Sequence, residues 1–228
     1  MNPPNRTIRL VLADDDALIR AGLRTILSSD PALQVVGEAE NGLRAIQLAE
    51  QLAPDVVLLD IRMPQLDGLS ALEQLISRDP DSRVLILTTF GEEEYIDRAM
   101  SSGASGFLLK SSPPGELIAA VHAVAQGAAA LSPRIARRVV DRLRGLDLDT
   151  GHRANQRLES LTPREIDVLA LVGAGFSNTD IAHRLVLTPA TVKGHMTSIL
   201  LKLQVSNRVQ AALLAYQAGI VTEQAADP

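Results

Sequence analysis

The chain of 228 residues contains no cysteine. Disulfide bridges, thiol catalysis and cysteine-based metal sites are therefore excluded, and the composition fits a reducing compartment. The sequence also lacks any apolar run that approaches the ~20 residues of a membrane-spanning helix. Its polar start, MNPPNRTIR, has no apolar signal-peptide core. We therefore expect a cytoplasmic protein without membrane insertion.

The chain is long enough for two ordinary domains of about 100 to 200 residues each, and its 46% of hydrophobic residues can form real cores. Its net charge of -5 is unevenly distributed. Residues 1–128 hold 18 acidic and 10 basic residues, whereas residues 129–228 hold 9 acidic and 12 basic residues. This split indicates that the two halves have different partners. The small basic excess of the second half permits nucleic-acid binding but does not establish it.

The first half alternates β-rich runs with stretches whose apolar residues recur at the helical period. The predicted strands are residues 8–13, 34–38, 55–60, 84–88 and 106–109. Five strands that alternate with five helices predict an α/β fold, a doubly wound parallel sheet with helices on both faces. Ligands of such sheets bind beyond the carboxyl ends of the strands, where the strand order reverses.

Three adjacent carboxylates, Asp14, Asp15 and Asp16, follow the first predicted strand. Adjacent carboxylates raise each other's pKa unless they are well solvated or arranged around a cation. An isolated triplet is more often a solvated loop or a helix cap than a binding site. The interpretation therefore depends on what the other strand ends contribute.

Polar side chains also follow other predicted strands. Asp60 ends the third strand, Thr88 ends the fourth and Lys110 follows the fifth. If the first and third strands are neighbours, these residues meet Asp14 and Asp15 at one edge of the sheet. Such an oxygen-rich site suits Mg²⁺, and a carboxylate beside the metal can attack phosphorus to form an aspartyl phosphate. An ammonium such as Lys110 would neutralise the transferred group, and the hydroxyl of Thr88 would donate to it.

The second half begins with a basic stretch at residues 132–145, predicted as a connecting helix, and a polar linker follows it. From residue 158 onward the pattern is helical. Helix starts are indicated by a capping box at Thr162–Glu165, a second at Ser177–Asp180, the pair Thr188-Pro189, and Ser206. We therefore predict a first domain at 1–128, a connecting segment at 129–157, and an all-α four-helix domain at 158–228.

The third predicted helix of this domain has one apolar stripe. The stripe consists of Val192, Met196, Ile199, Leu200 and Leu203. The opposite face carries Gly194, Thr197, Ser198 and Leu201, with Lys193 at its flank. This pattern fits a helix-turn-helix whose second helix enters the major groove of DNA. By pattern alone, an ordinary four-helix packing module is equally compatible.

Four motifs of the first half, LVLADD, DVVLLDIRMPQLDGL, VLILTTF and GASGFLLKS, resemble in order and spacing the signatures of a response-regulator receiver domain. The resemblance covers residues 7–128 and implies the flavodoxin-like strand order, with Asp60 as the phosphoacceptor and Mg²⁺ as the cofactor. It further implies that Asp15 binds the metal directly, that Asp14 does so largely through water, and that the backbone carbonyl of Arg62 is another ligand.

The same resemblance implies that Thr88 and Lys110 contact the phosphoryl group, and that Phe107 is the switch aromatic that rearranges with Thr88. Gly68 matches the loop after the phosphoacceptor. Asp16 departs from the pattern, since relatives with this type of output domain frequently carry His there. Its two remaining interpretations are a contact with the metal's water shell and the start of the next helix.

The segment LTPREIDVLALVGAGFSNTDIAHRLVLTPATVKGHMTSILLKLQVSNRVQAA resembles the LuxR-type helix-turn-helix of NarL/FixJ-type regulators along its whole length. The resemblance implies base-facing positions at Lys193, Gly194 and Thr197, and phosphate contacts at Ser177, Asn178, Thr179 and Lys202. Leu201 departs from the pattern, because relatives often carry Arg or Lys there. The last helix, with Val209, Leu213 and Tyr216, is a candidate dimer surface in this family, although half of that apolar stripe must belong to the core.

Together these resemblances imply a transcription factor that is not an enzyme. A sensor histidine kinase would phosphorylate Asp60, and the protein would then form a homodimer, bind promoter DNA and contact RNA polymerase. Two alternatives stay open. A haloacid-dehalogenase-type phosphatase also begins with an Asp-x-Asp pattern, but position 18 is Leu here and the helical tail would have no role. A receiver-like binding module that ignores phosphate would not need the complete acidic set.

Overall fold

The computed structural model describes residues 7–89, 93–132, 135 and 157–221, which fall into two compact units. Within the described residues, one unit holds a parallel sheet with five helices and the other holds four helices. The predicted connecting helix, apart from Ser132 and Ile135, lies outside the described residues, as does the linker up to residue 156. Across the described ranges, no helix has the length and apolar character needed to cross a bilayer.

The sheet of the first unit has six strands in the described residues. They are β1 (Ile8–Ala13), β2 (Leu33–Ala39), β3 (Val56–Asp60), β4 (Val84–Thr88), β5 (Gly106–Leu109) and β6 (Ala130–Leu131). Their order is β2-β1-β3-β4-β5-β6, and every pair is parallel. The prediction of a doubly wound sheet with the first and third strands as neighbours is confirmed. The strand order reverses at β1 and β3, so the predicted ligand edge lies at their carboxyl ends.

The central position of strand β3 in the sheet explains why its sequence is continuously apolar. It pairs with β1 on one side and β4 on the other, and all five of its residues are buried. A strand with helices over both faces has no solvent-facing side, so the usual alternation of polar and apolar residues disappears. Its last residue, Asp60, is therefore a carboxylate at the end of a fully buried strand.

Strand β6 was not predicted, and it lies in the stretch assigned to the connecting segment. Ala130 and Leu131 pair with Gly106 and Phe107 of β5. A Cβ atom on Gly106 would come within 2.5 Å of the carbonyl oxygen of Ala130, so this glycine permits the close approach. Two residues are too few to show the alternation by which strands are recognised.

Five helices surround the sheet: α1 (Ala17–Leu27), α2 (Gly42–Leu52), α3 (Gly68–Arg78), α4 (Glu93–Ser101) and α5 (Pro114–Ala125). The first three helices have capping residues whose side chains accept a hydrogen bond from a backbone N–H of the first turn. These caps are Asp16, Asn41 and Asp67. Each of these caps directly follows a strand end or its loop. The caps thus fix where the loops at the carboxyl edge of the sheet end.

The second unit consists of α6 (Pro163–Gly173), α7 (Asn178–Leu185), α8 (Pro189–Leu203) and α9 (Arg208–Gln217). Both predicted capping boxes are present, and α8 begins after Thr188 as predicted. The cap of α9 is Asn207 and not Ser206, because the Asn207 side chain accepts from the Gln210 N–H.

The apolar stripe of α8 is buried as predicted. Val192, Met196, Ile199 and Leu203 lie in the core of the second unit, and Leu200 packs partly buried against it. The opposite face of α8 is open at Gly194, since nothing lies within 4 Å of a Cβ atom placed there. Ser198, predicted on this face, is instead half-buried on a flank of the helix and donates to Glu165. The domain thus presents one face of α8 to solvent.

Candidate functional site

The acidic residues of the first unit meet at the carboxyl edge of the sheet. Asp14 and Asp60 are buried, with 1% and 5% exposure, whereas Asp15 is exposed. One carboxylate oxygen from each of the three lies within 4.8 Å of the other two. The ammonium of Lys110 lies 2.6 Å from Asp14 Oδ2 and 3.0 Å from Asp60 Oδ2. Residues 96 positions apart in sequence therefore form one cluster.

The cluster carries more negative than positive charge. Burial raises the pKa of Asp60 above its usual value, although the hydrogen bond from Lys110 opposes this shift. Burial opposes the charged form of Lys110 too, but its bonds to Asp14 and Asp60 prevail and raise the Lys110 pKa. Three carboxylates around one ammonium leave an excess of two negative charges. Such an oxygen-rich, electron-rich cluster is compatible with a divalent cation such as Mg²⁺.

The three adjacent aspartates have three different environments. Asp16 caps α1: its Oδ1 accepts from the N–H groups of Leu18 at 2.8 Å and Ile19 at 3.3 Å. The backbone N–H of Asp16 in turn donates to Asp14 Oδ1 at 3.1 Å. Of the two interpretations left open for Asp16, the structure supports the start of the helix. The backbone N–H of Asp16 also helps to hold the Asp14 carboxylate.

Arg20 provides a cation behind the aspartates that the sequence did not indicate. Its guanidinium donates to the backbone carbonyl of Asp14 at 2.6 Å and lies 3.7 Å from Glu38 at the end of β2. Arg20 lies one helical turn after the cap, so only the packing of α1 against β1 and β2 brings it there. It anchors the main chain that carries Asp14.

The two residues predicted to act with the phosphoryl group and the switch are buried at the same side of the sheet. Thr88 is the last residue of β4, and its carbonyl accepts from the Lys110 N–H at 2.7 Å. Phe107 is fully buried on β5, opposite Ile86 of β4. The end of β4 therefore lies beside Asp60, whose β4 partner is Leu87, and β5 lies one strand farther along the sheet.

The loop after Asp60 approaches the site closely. The Gly68 N–H donates to the carbonyl of Ile61 at 2.8 Å, and a Cβ atom on Gly68 would lie only 1.9 Å from the carbonyl oxygen of Asp60. Arg62 lies on the same loop, with its guanidinium 5.8 Å from the ring centre of Tyr95 on α4. Arg62 and Asp15 line one cleft beside the cluster.

The residues predicted to face DNA bases lie on the open face of α8. Lys193, Gly194 and Thr197 are all exposed, and the Thr197 hydroxyl donates to the Lys193 carbonyl at 3.1 Å. Leu201 continues the same face one turn later and is 79% exposed. A single exposed leucine is ordinary on a protein surface, so Leu201 alone does not indicate a partner.

Three of the four predicted phosphate contacts make bonds inside the domain. The buried Ser177 hydroxyl donates to Asp180 at 2.6 Å, as part of the α7 cap. Asn178 Oδ1 accepts from the guanidinium of Arg208 at 2.7 Å. Lys202 donates to both carboxylate oxygens of Glu165. The fourth, Thr179, is exposed.

Glu165 and Arg208 each bind several parts of the second unit, and the sequence did not point to either role. Glu165 is only 4% exposed and also accepts from Ser198 at 2.6 Å. Burial lowers the pKa of Arg208 to about 10, and this guanidinium also donates to the carbonyl of Phe176. The capping box pointed to Glu165 as a local partner of Thr162, but it gave no signal for contacts more than 30 residues away.

Comparisons with known proteins match both units. Residues 10–122 match the family described as the response regulator receiver domain, and residues 159–215 match the bacterial regulatory proteins of the luxR family. The transcriptional regulatory protein LiaR of Bacillus subtilis (strain 168) is 37% identical over 214 residues, which cover 94% of this chain and 99% of LiaR. The chain belongs to the NarL/FixJ-type response regulators.

Other members of the family agree along the whole chain. The nitrate/nitrite response regulator protein NarL of Escherichia coli (strain K12) is 38% identical over 208 residues, which cover 91% of this chain and 94% of NarL. The solved structure of the response regulator ChrA, from a heme-sensing two-component system, has a TM-score of 0.52 at 35% identity and covers 95% of this chain and 100% of ChrA.

This response regulator is therefore a DNA-binding transcriptional regulator of a two-component system, and the prediction that it is not an enzyme is confirmed. The phosphatase alternative fails because the luxR-family match accounts for the helical half that a phosphatase would leave without a role. The alternative of an ordinary helical packing module fails for the same reason.

Proposed function

We propose that a sensor histidine kinase phosphorylates this response regulator on Asp60 in a Mg²⁺-dependent reaction, and that phosphorylation promotes dimerisation and promoter binding. The observation that carries the proposal is the cluster in which two buried carboxylates share the ammonium of Lys110, with Asp15 at the rim. A nucleophilic carboxylate, an ammonium and an acidic cluster that can hold Mg²⁺ at one sheet edge suit phosphoryl transfer.

In the proposed reaction, a carboxylate oxygen of Asp60 attacks the phosphorus of the kinase's phosphohistidine, whose ring is protonated on its other nitrogen. The P–O bond to Asp60 forms as the P–N bond breaks, and the kinase histidine leaves as neutral imidazole. Lys110 lies close enough to Asp60 to neutralise charge on the transferred group. Asp14, Asp15, Asp60 and the carbonyl of Arg62 would hold the metal ion. Bound Mg²⁺ would neutralise phosphoryl oxygens and favour the ionised form of Asp60, whose pKa burial raises.

The proposed switch uses Thr88 and Phe107. The hydroxyl of Thr88 would donate to the new phosphoryl group, and the movement of Thr88 would let Phe107 rearrange. Both side chains are buried, so such a change alters core packing and can reach the surface formed by α4, β5 and α5. A shift of this kind requires that a second copy or the DNA bind the two states with different affinities.

For the chain as a whole, we propose a receiver domain at 1–128, a connecting segment at 129–157 and a DNA-binding domain at 158–228. The pairing of β6 with β5 supports counting Ala130–Leu131 with the receiver sheet. Lys193, Gly194 and Thr197 would face bases, and Thr179 would face the DNA backbone. Homodimers would bind two half-sites and contact RNA polymerase in the cytoplasm.

The proposal is tested with acetyl phosphate and Mg²⁺ on the parent chain, on Asp60→Asn and on the matched control Asp16→Asn. We expect phosphorylation of the parent and the control, because Asn also caps helices well, and none of Asp60→Asn. Gel shifts with a DNA site selected by the phosphorylated parent should follow the same pattern. Equal labelling of Asp60→Asn would refute the phosphoacceptor assignment, and DNA affinity that ignores phosphorylation would favour the binding-module alternative.

A further inference from the structure

We propose that Glu165 is a positioning residue for DNA recognition: it fixes α8 about its own axis through Ser198 and Lys202, so Lys202 acts inside the domain and not on a DNA phosphate. The proposal rests on the DNA-binding function of the second unit and reassigns one of its predicted phosphate contacts. Its basis is the contact set of one buried carboxylate.

Among the described residues, the carboxylate of Glu165 accepts hydrogen bonds from two places. Its Oε1 accepts from the Ser198 hydroxyl at 2.6 Å and from Lys202 Nζ at 3.0 Å. Its Oε2 accepts from Lys202 Nζ at 2.7 Å and from the backbone N–H of Thr162 at 2.7 Å. The carboxylate is thus held by the start of its own helix on one side and by α8 on the other.

The two contacts on α8 define its rotation. Ser198 and Lys202 are four residues apart, so they occupy one flank of the helix on successive turns. This flank lies between the buried stripe and the open face that carries Lys193 and Thr197. Two anchored turns on one flank prevent the helix from rolling over its apolar stripe. The direction in which the open face points is therefore set by Glu165.

The first turn of α6, which carries Glu165, also binds α7, the first helix of the helix-turn-helix motif. Arg164, the neighbour of Glu165, donates from its guanidinium to the carbonyl of Leu185, the last residue of α7. The first turn of α6 thus binds the end of α7 through Arg164 and the flank of α8 through Glu165. This one turn therefore contacts both helices of the motif, which also pack directly against each other.

Lys202 is poorly suited to neutralise a phosphate. Its ammonium already donates to both oxygens of a carboxylate that is almost fully buried. Moving the ammonium to DNA would leave the charge of Glu165 buried without its cation, which is strongly unfavourable.

The test measures how the affinity of the full-length, phosphorylated chain depends on salt. Each phosphate contact that is lost lowers the slope of log K against log salt by ~0.9. The variants are Lys202→Met and Glu165→Gln, with Lys193→Met as the control for a contact with DNA and Glu159→Gln as the same change at an exposed site. The duplexes are one selected by the parent chain and a scrambled sequence of equal length.

We expect Lys202→Met to weaken binding to the selected duplex by about tenfold, a small part of the ~10³- to 10⁷-fold difference between specific and non-specific binding, and to leave the salt slope unchanged. Lys193→Met should lower the slope. The double variant of Glu165→Gln and Lys202→Met should bind DNA no more weakly than whichever single variant binds it more weakly. The reason is that the two substitutions remove the same contact. Binding to the scrambled duplex should stay within about twofold of the parent in Lys202→Met.

A slope lowered by ~0.9 in Lys202→Met would overturn the proposal, because it would make Lys202 a phosphate contact. Unchanged affinity for the selected duplex, or additive losses in the double variant, would overturn it too. If Glu165→Gln or Lys202→Met does not fold, the double variant still decides by its salt slope, because it removes both charges and leaves no buried carboxylate without its cation. Failure of the parent itself to select any duplex would instead contradict DNA binding by the second unit.

Discussion

Replacing Gly68 by alanine is expected to disable the phosphorylation site without touching any of its polar groups. The added Cβ atom would lie 1.9 Å from the carbonyl oxygen of Asp60 and 2.8 Å from its carbonyl carbon. Ordinary contact begins at 3.4 Å, so the two main chains must separate by about 1.5 Å. Overpacking of this kind costs about 1 to 3 kcal/mol of unfolding free energy. A shift of about 1 Å at a reacting group lowers rates by about a hundredfold.

The assay compares Gly68→Ala with Gly22→Ala, the same substitution in the middle of α1, where nothing lies within 4 Å of the new atom. Gly22→Ala should gain about 0.5 to 1 kcal/mol from helix propensity and keep the parent's rate of phosphorylation by acetyl phosphate. Gly68→Ala should melt at a lower temperature than the parent, and acetyl phosphate should phosphorylate it about a hundredfold more slowly. A Gly68→Ala chain with the parent's rate and melting temperature would refute the reasoning, because Asp60 would then tolerate the displacement.

Three further predictions concern the second unit. Val186 is a β-branched residue at φ 55° and ψ 51°, where glycine is preferred, and it is 91% exposed, so Val186→Gly should raise the stability by about 0.5 to 1 kcal/mol in thermal unfolding; a lower melting temperature would contradict this. Leu201→Lys should make the salt slope of DNA binding steeper by ~0.9, because it adds a cation to the open face of α8; an unchanged slope would place Leu201 away from the DNA backbone. Burial alone would raise the pKa of Glu165, but Lys202, Ser198 and Thr162 bind the carboxylate and lower its pKa from 4.5 to about 2. This stabilisation is complete above about pH 4.5 and is lost as the pH falls toward 2, so the parent should lose more unfolding free energy than Glu165→Gln across that window in denaturant titrations; parallel curves would show that the pair does not stabilise the fold.

Much of the fold could be predicted because the relevant signals are local. The buried central strand is recognisable from its continuous apolar run, and the starts of α6, α7 and α8 from caps that act within three residues. Strand β6 could not be predicted, because two residues have no period. The cap of α9 was misplaced by one residue, since Ser206 and Asn207 are both good capping residues and only the bond to Gln210 distinguishes them.

The acidic cluster shows most clearly which features the sequence determines and which depend on tertiary structure. The sequence by itself determined that Asp14, Asp15 and Asp60 follow strands of a parallel sheet, because strand ends are marked by where the apolar runs stop. Only the tertiary structure decided that Asp14 is buried against Lys110, that Asp15 stays at the rim and that Asp16 caps α1. These three residues have the same chemistry and adjacent positions, so their environments depend on the direction in which the chain leaves β1.

The same holds for the DNA-binding half. Composition and period determined which face of α8 is buried, since an apolar stripe must pack against something. Tertiary structure decided which cation meets the buried carboxylate of Glu165. Folding brings Lys202, 37 residues later in the chain, against that carboxylate. A buried carboxylate requires a cation, and the sequence alone does not say which one it meets.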